Sequence, residues 1–178
     1  DHPAGPAGGA LPTGVGWYRK SFSLDNAEKG QCFFIDFDGI YRNSEVWING
    51  HYLGKRASGY VSFRYELTPH LKFGKEKNLI AVRVDNSLQP NSRWYTGSGI
   101  YRNVWLVCSS RLHFDHRGIY ISMPEINDQD AKIRLDISLS GMVTDLESVK
   151  IVSSIMDQSG SRIVKVNSHI KDNSALYK

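Results

Sequence analysis

Apolar side chains in this chain recur at every second position, and the 3.6-residue spacing of a helix is almost absent. In "YVSFRYEL", Val61, Phe63, Tyr65 and Leu67 alternate with Ser62, Arg64 and Glu66. In "KIRLDISLSG", Ile133, Leu135, Ile137 and Leu139 do the same. A strand points successive side chains to opposite faces, so a period of two buries one face and leaves the other to solvent. In "CFFIDF", Phe33, Ile35 and Phe37 share one phase while Cys32 and Phe34 occupy the other, which predicts a central strand. Short strands of this kind, separated by Gly, Asn, Asp and Pro, predict an antiparallel sandwich.

Local signals place the turns. Asn49-Gly50 sits between two apolar triplets in "EVWINGHYLG", and both residues tolerate the positive φ of a tight hairpin. "TPHLKFGKEKN" predicts one short helical turn, while "WYRKSFSL" and "NLIAVRVDN" predict strands, the first with Tyr18, Phe22 and Leu24 in one phase. Residues 1–16, rich in Gly, Pro and Ala, have little to bury and read as an irregular lead-in. Near Ser109-Ser110 the aromatics thin out. "GIYISM", "KIRLDISLSG", "VKIVSSIM" and "RIVKVNSHI", the last two flanking the turn "DQSG", suggest a smaller sandwich of immunoglobulin type. Three or four strands are too few to close one, so the chain is expected to stop within that domain.

Other function classes find little support. A hydrophobic fraction of 40% is that of a folded protein, and the net charge of +4 comes from scattered Lys and Arg. No basic cluster interleaved with aromatics suggests a nucleic-acid partner. No apolar run approaches the ~20 residues of a membrane span, and no signal peptide is visible. Cys32 and Cys108 lie in apolar runs and read as buried free thiols. The six histidines lack metal-ligand spacing, no cofactor motif is present, and "YTGSGIY" runs into a strand, without the helix end that binds phosphate. The carboxylates sit at strand ends and turns, and no convergent catalytic pair is expected.

The stretch "RWYTGSGIYRNVWL" is different. Ile100, Val104 and Leu106 fall in one phase and Tyr101, Trp105 and Val107 in the other, which predicts a buried strand. Before it, Asn91, Ser92, Arg93, Trp94 and Tyr95 put two aromatics and three polar groups into consecutive loop positions. Sugars present an apolar C–H face and a rim of hydroxyls, which aromatics and polar side chains respectively recognise. Composition alone equally allows Trp94 or Tyr95 to plug the end of the sandwich.

Taken in order, "GVGWYRKSFSL", "DGIYRNSEVWINGHYLG", "GYVSFRYELTPHL", "NLIAVRVDN" and "RWYTGSGIYRNVWLV" resemble the N-terminal sugar-binding domain of glycoside hydrolase family 2, most closely that of bacterial β-galactosidases. The resemblance covers residues 3 to about 110, and a weaker one to the family's immunoglobulin-like second domain follows. It implies an all-β chain: a jelly-roll (galactose-binding-domain-like) β-sandwich over 1–110, lacking the family's leading strand, then a partial immunoglobulin-like β-sandwich over 111–178. It implies a parent retaining glycosidase whose catalytic glutamates lie in a (β/α)8 barrel absent from these residues. The fragment itself is then inactive and carries no cofactor.

In the family, the loop before the motif matched by Ser98, Gly99, Ile100, Tyr101 and Arg102 leans over the barrel mouth and touches the terminal sugar. The resemblance therefore assigns Asn91, Ser92, Arg93, Trp94 and Tyr95 to substrate binding, although Arg93 stands where several members carry a sugar-binding Asp. Arg102 is expected in an internal ion pair. The implied partners are a terminal β-galactoside or related glycoside and the parent's own barrel, in an enzyme whose oligomeric state and compartment the sequence leaves open. Two other readings stand beside this one: a self-sufficient carbohydrate-binding module, and a structural sandwich that only buttresses a barrel.

Overall fold

The computed structural model describes residues 14–88, 97–141 and 148–169. The chain divides into two compact units, residues 1–109 and 110–178.

In the first unit, a four-stranded antiparallel sheet runs in the order β1 (Val15–Phe22), β7 (Asn78–Asp85), β4 (Ser44–Ile48) and β5 (His51–Arg56). A second antiparallel sheet runs β6 (Phe63–Glu66), β2 (Cys32–Phe37) and β9 (Val104–Ser109). A two-residue ladder joins β3 (Ile40–Tyr41) to β8 (Gly99–Ile100). Inward residues of both sheets merge in one core: Phe33, Ile35 and Phe37 from β2 and Phe63 from β6 meet Val46 and Ile48 from β4 and Ile80, Val82 and Val84 from β7. This is the two-sheet sandwich that the alternation predicts.

The local predictions hold where the chemistry is local. Asn49 and Gly50 take φ of 51° and 87°, the paired positive values of a tight hairpin turn between β4 and β5. Asn49 does more than turn the chain: its Nδ2 donates to His70 O and to Asn78 Oδ1, and its Oδ1 accepts from Leu79 N. "TPH" forms a 3-10 turn, Thr68–His70, with Pro69 in its first positions, where the missing N–H costs nothing. β2 is central between β6 and β9.

Two expectations about strands need correction. Val61 is 57% exposed and lies before β6, which begins only at Phe63, so the buried phase of "YVSFRYEL" is Phe63 and Leu67, with Tyr65 half-buried. The run "GIYRNVWL" is not one buried strand. It breaks at Tyr101–Asn103, and β9 occupies a sheet edge with Val104 and Leu106 largely exposed. Alternation fixes the face that a side chain uses, but not whether a second sheet covers that face.

The cysteines are free, as expected, but not buried: Cys32 is half-buried and Cys108, on the edge strand, is exposed. Cys108 pairs across the sheet with buried Phe33, and its Sγ hydrogen-bonds Gln31 Oε1.

The second unit holds two antiparallel pairs, β10 (His113–Ile126) with β11 (Ala131–Ser140), and β12 (Lys150–Met156) with β13 (Arg162–His169). The "DQSG" turn closes the second pair: Asp157 Oδ1 accepts from the amides of Ser159 and Ser161 and from Ser159 Oγ. Among its described residues, Leu139 is the one buried apolar side chain.

Candidate functional site

Asn91, Ser92, Arg93, Trp94 and Tyr95, assigned to sugar binding from the sequence, lie outside the described residues. The structure does describe the base from which residues 89–96 leave and to which they return, and that base is tightly fastened.

On the outgoing side β7 ends at Asp85. Its N–H donates to Arg42 O (3.1 Å), and its carbonyl accepts from Asn43 Nδ2 (3.1 Å). Asp85 Oδ1 accepts from both the amide and the hydroxyl of Ser87, while Oδ2 pairs with Arg83 Nη2 at 2.8 Å. These bonds, the Ser87 hydroxyl first, hold the Asp85 carboxyl below its ordinary value. Arg42 Nη2 donates to Leu88 O at 3.3 Å.

The centre of the base is Asn86, which is completely buried. Its amide donates to Gly14 O (2.9 Å) and its Nδ2 to Ser98 Oγ (2.6 Å). A side-chain amide has two donors and two acceptor sites, so a buried Asn persists only where partners surround it. Here it staples the outgoing strand to the returning one.

On the returning side Gly99 pairs with Tyr41 in the short ladder, and Ile100 N donates to Tyr18 Oη. Gly99 has φ +98°, a backbone conformation that favours glycine, and a Cβ there would stand 2.0 Å from Tyr18 Oη, so the tip of that side chain would have to shift. Tyr101 Oη donates to Gly59 O (2.8 Å). Arg102, expected in an internal ion pair, is exposed and forms none among the described residues. It falls in the bend between β8 and β9.

Near this base stand groups that the sequence reading passed over. Tyr60, 61% exposed, packs edge-on against buried Tyr41 with centroids 5.5 Å apart. The Arg42 guanidinium lies 5.9 Å from the Tyr41 ring, and its Nε is buried with no hydrogen-bond partner among the described residues. "DGIYRN" carried Tyr41 and Arg42 in plain view. Their relevance arises only because β3 pairs with β8, far away in sequence.

A concavity of about 550 Å³ opens between β1 and β9 and is lined mainly by apolar residues that include Phe22, Ile35, Phe37, Ile80, Val104 and Leu106. Its lining offers few hydrogen-bonding groups for hydroxyls, so it is a poor sugar site.

The family description "Glycosyl hydrolases family 2, sugar binding domain" matches residues 7–110. The chain belongs to glycoside hydrolase family 2. It is 49% identical over 168 residues to a β-galactosidase of Bacteroides ovatus, a match covering 94% of this chain and 20% of that protein. It is also 49% identical over 137 residues to a putative β-glucuronidase of Formosa agariphila, covering 77% of this chain and 13% of that protein. Among solved structures, a β-glycosidase from Bacteroides vulgatus superposes with a TM-score of 0.83 at 41% identity, over 94% of this chain and 21% of that one. The chain thus spans between 13% and 21% of the length of these relatives.

Proposed function

We propose that this chain is the non-catalytic N-terminal region of a retaining β-galactosidase-type enzyme, and that it supplies one lip of the sugar pocket. The observation that carries this reading is the family match over residues 7–110 together with 49% identity to a β-galactosidase along nearly the whole chain. Asn91, Ser92, Arg93, Trp94 and Tyr95 stack on the sugar and hydrogen-bond its rim, and Tyr60 and Arg42 stand beside their base as supporting groups. The Asn86–Ser98 bond and the β3–β8 ladder support a positioning role, because a lip aids catalysis only if its base is rigid. Residues 111–178 are assigned to an immunoglobulin-like sandwich, a reading supported by their two antiparallel strand pairs.

A second reading of the substrate is favoured by the equal identity to a putative β-glucuronidase. Parallel assays of the full-length parent with nitrophenyl β-galactoside and nitrophenyl β-glucuronide decide between them. In the same enzyme Trp94→Ala raises KM or lowers kcat/KM for the preferred substrate without unfolding the protein, since it removes positioning and leaves the acid–base pair intact. Unchanged kinetics would reduce the loop to a plug.

A further inference from the structure

The turn between β4 and β5 lies beside the start of β7, at the end opposite the lip, and its sequence carries a chemical liability that the fold holds in check. In an Asn-Gly pair the glycine has no Cβ to shield its amide nitrogen, so that nitrogen can attack the carbonyl carbon of the asparagine side chain. A bond from Gly50 N to Asn49 Cγ forms, the Cγ–Nδ2 bond breaks, and ammonia leaves with the proton from Gly50 N. Water then opens the resulting succinimide to aspartate or to β-linked isoaspartate. The attack requires the Asn49 side chain to fold back over its own C-terminal peptide bond.

In the folded chain that side chain is drawn the other way. Nδ2 donates to His70 O and to Asn78 Oδ1, both at 2.8 Å, and Oδ1 accepts from Leu79 N at 2.9 Å. These partners belong to the 3-10 turn and to β7, not to the β4–β5 turn itself. The Asn49 amide is tied down as well, donating to Leu79 O at 2.9 Å. Asn78 is completely buried and has no freedom to adapt: its Nδ2 donates to Lys72 O and its Oδ1 accepts from Lys72 N, at 2.8 Å each. Its oxygen therefore has to face Asn49. The stacked rings of His51 and His70, with centroids 4.2 Å apart and planes at 14°, brace the hairpin against the 3-10 turn.

We propose that Asn49 is a fold-gated deamidation site: silent while this end of the sandwich is closed, converted when it opens, and unable to close normally afterwards. In the native chain the reaction proceeds only from the locally opened state, so its rate is the intrinsic rate scaled by the open fraction. The product then blocks reclosure. An ionised aspartate at position 49 has no hydrogen to give, and its carboxylate would set an oxygen against the His70 carbonyl and the Asn78 oxygen. Two acceptors would face it with no donor between them, where the native amide bonded both. The fixed orientation of Asn78 leaves it no way to turn its NH2 group towards the carboxylate without giving up Lys72. Isoaspartate adds a backbone atom to the turn and spoils the two-residue geometry of the hairpin. No residue of the 89–96 loop takes part in the device.

The test is incubation of the full chain at neutral pH with and without denaturing urea, followed by trypsin, which cuts after Arg42 and Lys55 and releases residues 43–55. Mass spectrometry reads the mass gain of amide-to-acid conversion, and fragmentation separates Asn49 from Asn43 in the same peptide. The expected result is conversion of Asn49 in urea at least about thirtyfold faster than in the native chain. Asn49→Asp, which installs the product by mutation, lowers the urea midpoint followed by tryptophan fluorescence by at least about 0.5 M. Similar rates of Asn49 conversion in the two conditions overturn the gate. An Asn49→Asp chain with the wild-type midpoint overturns the one-way step. Because neither readout is turnover or sugar binding, failure here leaves the proposal for the loop standing.

Discussion

Phe63 and Val61 make a paired test of how the sandwich is built. The alternation of "YVSFRYEL" treats them alike, but the structure separates them sharply: Phe63 is 5% exposed and Val61 57%. Phe63 stacks on Phe37 with centroids 5.0 Å apart at 25°, meets Tyr65 edge-on at 5.6 Å, and sits in the single core that joins the two sheets. Phe63→Ala removes a buried ring and leaves a cavity that strands on both sides are too constrained to fill. The expected cost is about 3–5 kcal/mol. Val61→Ala removes two methyl groups already in water and costs below about 0.5 kcal/mol. Urea unfolding of the full chain measures both, because all four tryptophans precede residue 110 and their fluorescence reports the first unit alone. With m values of ~1–3 kcal/mol/M, the Phe63→Ala midpoint falls by at least about 1 M while that of Val61→Ala hardly moves. Similar shifts for the two variants would refute the assignment of β6 and return Val61 to the core.

Two further outcomes depend on protonation. The Asp85 carboxyl titrates below its ordinary value of 3.8 because Ser87 and then Arg83 favour the charged form. Its stabilising contribution is therefore complete above 3.8 and is lost as pH falls through the lower folded-state value. Between about pH 5 and pH 2 the wild type should lose more stability than Asp85→Asn, and parallel curves would exclude this role. The Cys108 thiol is pushed up, first by desolvation and then by Glu28 and Cys32, so its alkylation rate should still be climbing above pH 9.0. Mass spectrometry of iodoacetamide labelling follows this, and a rate that has levelled off by pH 9.0 would contradict it.

Sequence alone determined what depends on neighbours along the chain. Asn49-Gly50 supplied the only pair between its flanking triplets that accepts two positive φ values, so the hairpin followed. The phase of Phe33, Ile35 and Phe37 followed from the pleat, and the five ordered motifs sufficed to identify the family. Tertiary structure decided what depends on strands that meet from far apart. Val104 and Leu106 have the pattern of core residues, yet they are exposed because β9 is an edge. Asn86 only closes the strand motif "NLIAVRVDN" in the sequence, and the fold shows it fully buried and bonded to Ser98. Trp17, Trp47 and Tyr52 lie far apart in sequence, and only the pairing of β1, β7, β4 and β5 brings the Trp47 ring within 5.4 Å of the other two. Alternation encodes a direction for each side chain, whereas cover and company come from pairing order, which no local pattern contains.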